Sequence, residues 1–145
     1  MDIKEFLKIY QNLTIGISIN KYHKINYKMF SFSDREERPW GRFFVLHDEP
    51  SYKLKRIEVD PGGRLSYQYH YKRSEAWTIV KGTGVITLDG QDKEYTKGQT
   101  VLIPQGVKHR IENKGSEKVV FIEVQTGSYF GEDDIVRIED DYNRA

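Results

Sequence analysis

The chain has 145 residues, the length of one ordinary domain, with 23 Lys and Arg against 22 Asp and Glu. A formal net charge of +1 argues against a nucleic-acid partner, which calls for a basic excess on one face. The absence of cysteine excludes a disulfide scaffold, a cysteine zinc site and a thiol nucleophile, and no apolar run approaches the ~18 residues that a membrane helix needs.

The first five residues, Met1 to Glu5, carry neither the basic region nor the apolar stretch of a secretory signal, so the cytoplasm is the expected compartment. Ile3, Phe6, Leu7 and Tyr10 recur at helical spacing and predict one short amphipathic helix; Leu13 to Ile19 reads as a brief apolar strand. Ser31 to Arg38 is polar and charged, a linker by composition. Residues 1–37 are thus set apart as an N-terminal extension, and residues 38–145 as the main domain. From Trp40 onward the pattern changes to short alternating runs: Arg42–Leu46, Lys53–Val59, Leu65–Tyr71, Glu75–Val80, Val85–Leu88, Thr100–Ile103, Val107–Glu112 and Val119–Val124. Turn residues separate them, as at Asp60-Pro61-Gly62-Gly63, Lys81-Gly82-Thr83-Gly84, Asp89-Gly90 and Lys97-Gly98. Closely spaced strands without crossover helices predict an all-β sandwich or barrel.

Gln68 and His70 stand two apart in a strand, so period-2 geometry points both to one face. Glu75 opens the next strand, and His109 follows Pro104-Gln105-Gly106 in a third. Converging inside a small barrel, two imidazoles, a carboxylate and an amide oxygen suit a divalent ion with an open coordination position. Singly, each has a plainer reading: a hydrogen-bonded histidine, a polar lining glutamine, a glutamate paired with Arg73.

The spacing joins them. Gly62, five residues, Gln68-Tyr69-His70, four residues, Glu75, six residues, Gly82 is followed by Gly98, five residues, Pro104-Gln105-Gly106, two residues, His109, three residues, Asn113. These blocks resemble the two cupin motifs, with Gln68 in place of the first histidine. More narrowly, Arg38-Pro39-Trp40-Gly41, Leu65 to Trp77, Ile103 to Asn113 and Ile122 to Arg137 are similar to the type II mannose-6-phosphate isomerase domain, over a span from Arg38 to Arg144. In that family the domain is often the C-terminal part of an enzyme that also carries a mannose-1-phosphate guanylyltransferase. The glycine-rich nucleotide-binding start of the latter is absent, so a separately encoded guanylyltransferase is the expected partner. The sequence departs from the family at Ala76, where histidine is usual, at Tyr71 and Lys72, and at Asn143. Ala76 and Lys72 adjoin the metal block, which leaves open a change of rate or substrate.

The resemblance implies a cupin double-stranded β-helix, a jelly-roll barrel, that interconverts mannose 6-phosphate and fructose 6-phosphate with a divalent metal: zinc foremost, otherwise cobalt, manganese, nickel or iron. Gln68, His70, Glu75 and His109 would hold the metal. Such chemistry also needs cations for an oxyanion and a phosphate. Arg73, two residues before Glu75, is one catalytic candidate. Arg110 is another if a bulge turns it inward, since in a straight strand it faces away from His109. Lys53 and Lys55 share a face with Ile57 and Val59 and either line the mouth or are solvated at a strand end. Ser66 shares the parity of Gln68 and His70 and is placed to touch a sugar hydroxyl. Arg137 either completes the pocket or braces the turn Glu132-Asp133-Asp134. Glu112, Glu123 or a metal-bound water are alternatives for the base. Other sugar-phosphate or nucleotide-sugar isomerisation, or sugar binding without catalysis, fits the same scaffold. A homodimer is expected, with Leu13 to Ile19 as the exchanged strand.

Overall fold

The computed structural model describes residues 35–144; the helix and strand expected within residues 1–34 lie outside them. Eleven strands follow one another: β1 (Arg35–Arg38), β2 (Gly41–Glu49), β3 (Tyr52–Val59), β4 (Tyr67–His70), β5 (Arg73–Lys81), β6 (Thr83–Leu88), β7 (Gln91–Thr96), β8 (Thr100–Ile103), β9 (His109–Glu112), β10 (Val119–Gly127) and β11 (Ile135–Glu139), with one 3-10 turn at Glu132–Asp134. They form two sheets, in the orders β1-β2-β3-β10-β5-β8 and β11-β4-β9-β6-β7. Every pairing is antiparallel. The all-β expectation is thus met. No described helix is long and apolar enough to cross a membrane.

Arg35–Arg38, expected as a linker, is a strand: it pairs with Arg42–Phe44 and Gly41 at the sheet edge, where charged residues keep both faces wet and leave no alternation to read. Gly62, Gly82 and Gly98 all hold positive φ at turns, as the motif spacing predicts. Gly127 has a different task. At φ +158 its backbone passes so close to Lys72 that a Cβ would stand 2.2 Å from the Lys72 carbonyl oxygen, and this approach seats the end of β10 against Arg73.

The core lies between the sheets. Trp40, Phe43, Ile57, Val59, Trp77, Ile79, Ile86, Val101, Ile103, Ile111, Val119 and Phe121 are buried together there. Asn113, fully buried, donates to the carbonyls of Val59 and Glu117 and accepts from Gly115 N–H, which stitches the turn after β9 to β3. On the central strands of the larger sheet the inward residues change character at one level. Ile57, Phe121 and Ile79 lie side by side; the next inward row is Lys55, Glu123 and Trp77, and the one after it Lys53, Gln125 and Glu75. One half of the interior is therefore apolar and the other charged.

Candidate functional site

β4, β5 and β9 bring His70, Glu75 and His109 together, with one donor atom of each within 4.8 Å of the others. His70 Nε2 lies 3.1 Å from Glu75 Oε1, and His109 Nε2 lies 3.5 Å from Glu75 Oε2. All three are buried. The turn made by Pro104 and Gly106 delivers His109 inward, and Gly106 N–H donates to the His70 carbonyl, which locks the two ligand blocks together.

Backbone carbonyls set both imidazoles. His109 Nδ1 is 2.8 Å from the Val107 carbonyl and His70 Nδ1 is 3.4 Å from that of Asp134. With a proton on each Nδ1, the two Nε2 lone pairs face the Glu75 carboxylate. His109 Nε2 has no hydrogen-bond partner among the described residues. Three electron-rich atoms turned toward one another in a dry site are stable when a cation stands between them, and this nitrogen–oxygen donor set suits a divalent transition ion. Gln68 lies opposite His109 on the neighbouring strand and lines the same cavity. Its Oε1 accepts from Ser66 Oγ at 2.7 Å, so the amide oxygen expected as a fourth ligand is engaged by Ser66.

Glu75 is held from every side. Arg73 Nε donates to its Oε1 at 3.0 Å, Gln125 Nε2 at 3.2 Å, and Trp77 Nε1 donates to its Oε2 at 3.0 Å. Burial opposes ionisation, but where His109 and His70 carry a second proton on Nε2, their hydrogen bonds and positive charge outweigh it and keep this carboxyl well below the usual range. The same Trp77 Nε1 and Gln125 Nε2 also donate to Glu123, at 2.9 and 2.7 Å. Burial, and after it the Glu75 charge, push Glu123 up to about 7, against the opposing pull of Lys55 and Arg73.

Around these groups runs a small cavity of about 50 Å³, room for a few waters, lined among others by Ser66, Gln68, Arg73, Glu75, Glu123 and Gln125. Lys55 also lines it and is paired with Glu132 at 2.8 Å. Lys53, one inward row further on, does not line it: its Nζ is taken by Asp48 at 3.0 Å and the Phe130 carbonyl at 3.2 Å. Arg110 is a correction. β9 is straight there, so the residue after His109 points out of the sandwich, where its guanidinium lies over the Tyr67 ring and pairs with Glu139. Glu112 lines that same outer groove, so of the two carboxylates considered for the base only Glu123 lines the cavity. Arg137 does line the cavity and makes no ion pair with the acidic turn among the described residues. That turn is instead tied down by Asp134, which accepts from the N–H groups of Tyr71 and Lys72.

The two departures beside the metal block also turn away from it. Ala76 lies on the outer face of β5 beside Leu102 and Val124. Lys72 is exposed, with its ammonium over the Tyr129 ring. Neither touches the ligands. Trp77 and Gln125 are the functional candidates that the sequence does not single out, while Glu123 is one of its alternatives for the base. Their signal was parity: Glu123 and Gln125 share the inward face of β10 with Phe121.

Comparison with known proteins agrees with this architecture. The family described as "Mannose-6-phosphate isomerase C-terminal" matches residues 11–140, beginning inside the segment set apart above as an extension. A mannose-1-phosphate guanylyltransferase of Salmonella montevideo is 49% identical over 107 residues, 74% of this chain and 23% of its own length. The xanthan biosynthesis protein XanB of Xanthomonas campestris is 46% identical over 108 residues, again 74% of this chain and 23% of its own. The chain thus spans less than a quarter of these relatives. Among solved structures, the capsular polysaccharide assembling protein CapF of Staphylococcus aureus superposes with a TM-score of 0.64 at 26% identity, over 73% of this chain and 34% of that one. A double-stranded β-helix protein of Klebsiella pneumoniae gives 0.66 at 18% identity, over 84% of this chain and all of the other, and supports the cupin-type fold. On the extent of the family match and the identity to these relatives, the chain belongs to the mannose-6-phosphate isomerase C-terminal family.

Proposed function

We propose that this domain is a metal-dependent aldose–ketose isomerase that interconverts mannose 6-phosphate and fructose 6-phosphate in the cytoplasm and so serves polysaccharide synthesis. The observation that carries the reading is the His70–Glu75–His109 cluster, with its unpartnered His109 Nε2, at the wall of a cavity lined by cations. His70, Glu75 and His109 would hold the metal, with Gln68 beside them. A bound divalent ion, zinc foremost, would polarise the sugar carbonyl and orient the neighbouring hydroxyl.

The chain's own groups do the rest. Arg73 is a positioning residue, because its Nε fixes Glu75 and its Nη1 is spent on the Gly131 carbonyl at 3.0 Å. Glu123 is the carboxyl that takes the proton from one sugar carbon and returns it to its neighbour, since a group titrating near 7 can do both at neutral pH. Lys55 and Ser66 face the sugar. A mannose-1-phosphate guanylyltransferase, the activity for which the relatives are named, would be its partner, and the domain would act as a homodimer.

Proton NMR of fructose 6-phosphate with purified protein, with and without zinc, cobalt or manganese, tests the reading. The expected result is mannose 6-phosphate only when metal is present, and none in His70→Ala or His109→Ala. A folded protein that binds the ion and forms no product with any metal would sink it and leave a non-catalytic sugar-binding role.

A further inference from the structure

Five cationic side chains line the cavity: Arg38, Lys55, Arg73, Arg137 and Arg144. Four are already matched. Arg38 pairs with Glu36, Lys55 with Glu132, Arg73 with Glu75, and Arg144 grips Asp140 through Nε and a second guanidinium nitrogen. Arg137 alone has no carboxylate partner among the described residues, and its buried Nε has no hydrogen-bond partner at all among them. Burial, and after it the neighbouring charge of Arg144, lower its hold on its proton; Arg38 acts in the same sense, and only Glu132 and Asp140 oppose them. A half-buried guanidinium, pressed by like charges and lacking an anion, is a group whose partner arrives from outside. The outward cations of the same sheet make the contrast: Arg64 is held by Asp141 and Arg110 by Glu139.

Position adds the length scale. Arg137 on β11 lies opposite Gln68 on β4, and Gln68 lies opposite His109 on β9. Arg137 and His109 are therefore two strand spacings apart on one face, about 10 Å. That separation is of the same order as an extended six-carbon chain with a phosphate on one end. A third buried atom without a partner, Gln125 Oε1, borders the same cavity. Its orientation is fixed because the Gln125 amide nitrogen serves the carboxylates of Glu75 and Glu123, which leaves the oxygen as an acceptor for a hydroxyl.

We propose that Arg137 is the seat of a phosphomonoester dianion, flanked by Arg38 and Arg144, so that a sugar phosphate lies along the cavity with its phosphate on β11 and its reacting carbons at the His70–Glu75–His109 end. The assignment rests on the isomerase reading for the identity of the sugar but not for the anion. Arg suits the task because its planar fork offers paired donors to phosphate oxygens. The present cavity is too small for a hexose phosphate, whose pocket would run to several hundred Å³. Glu132, its side chain 46% exposed, is the group that gives way: released from Lys55, it vacates both volume and negative charge beside Arg137.

Calorimetric titration of the metal-free protein with inorganic phosphate, mannose 6-phosphate and mannose tests the seat without turnover. Wild type should bind the phosphates and prefer mannose 6-phosphate to mannose. Arg137→Gln should weaken both phosphate ligands by about 10- to 100-fold, the worth of a charge-assisted hydrogen bond or two, and leave mannose and metal affinity unchanged. Arg137→Lys, which keeps the charge but not the fork, should lose less. Should Arg137→Gln fail to fold, the lysine variant decides alone: a measurable loss supports the seat, and unchanged phosphate affinity overturns it. Wild-type protein that binds no phosphate overturns it as well. Phosphate binding that depends on Arg137, in a protein that isomerises nothing with any metal, upholds the seat and removes the isomerase reading. Turnover with a KM indifferent to Arg137→Gln does the reverse.

Discussion

Ile57, Phe121 and Ile79 stand on the same three strands, and on the same face, as Lys53, Gln125 and Glu75. Four residues, or about 13 Å, separate the two rows. The first row is closed and satisfied by packing alone; Phe121 and Ile79 are fully buried against one another and against Trp77. The second is just as dry at Glu75 and Gln125, yet it holds a buried polar atom, Gln125 Oε1, that no described residue satisfies. Stability and chemistry are thus kept apart along the strands rather than between domains, with Trp77 at the boundary: its ring packs in the core and its N–H serves both carboxylates.

Breaking the apolar row should have the largest effect. Phe121→Ala should lower unfolding free energy by about 3–5 kcal/mol in denaturant titrations, the usual result of truncating a buried aromatic ring. The protein that remains folded should bind metal with unchanged affinity. A loss of metal affinity in parallel with stability would show that the two rows are one unit.

The charged half of the interior should respond to pH where the apolar row cannot, beginning with Glu123 in the row between the two. The Glu123 carboxyl is raised from 4.5 to about 7 in the folded, metal-free protein. A group raised on folding contributes stability that is present in full below its unfolded value and is lost as pH rises through the folded one. Wild type should therefore lose about 3 kcal/mol relative to Glu123→Gln between pH 4.5 and 7, and no more above that. Parallel stability curves for the two proteins across that window would contradict it.

Trp77→Phe sharpens the boundary. It keeps the aromatic packing and removes the indole N–H that both Glu75 and Glu123 accept, leaving the Gln125 amide as their shared donor, with an expected loss of about 1–3 kcal/mol, smaller than that of Phe121→Ala. Its signature should be a further rise in the pH at which Glu123 ionises, followed by carboxyl carbon NMR; an unchanged titration would place the proton donors elsewhere.

The site was legible where turn chemistry and strand parity act together. Gln68, His70, Glu75 and His109 follow fixed glycines and a proline, and alternation alone turns Arg110 outward, as the structure finds. Gln125 is not singled out, and Glu123 stands only among several alternatives for the base, because their strand announces itself by Val119, Val120, Phe121 and Ile122, and an apolar run reads as core. β7 was missed because its residues are nearly all exposed: it pairs only with β6 at a sheet edge and has no buried face to impose a period. Arg38 and Arg144 reach the cavity from the two ends of the described chain, in segments whose charge reads as solvated. Only tertiary closure brings them together. Ala76 shows the converse error, since adjacency to Glu75 in sequence means opposite faces in a strand.

The strand order carries one more consequence. β10 lies between β3 and β5, so the two rows that hold Glu123 and, beyond it, Gln125 and Glu75 exist only after a late strand has been inserted between two early ones. Loop-closure entropy must be met before any of these contacts rewards it, and topologies so dominated by non-local pairing fold in milliseconds to seconds. During that interval Glu75 lacks its Gln125 clasp and His109 its neighbours, so an ion in solution meets scattered donors of ordinary weak affinity. Metal should accordingly slow unfolding of the finished protein while leaving its refolding rate almost untouched.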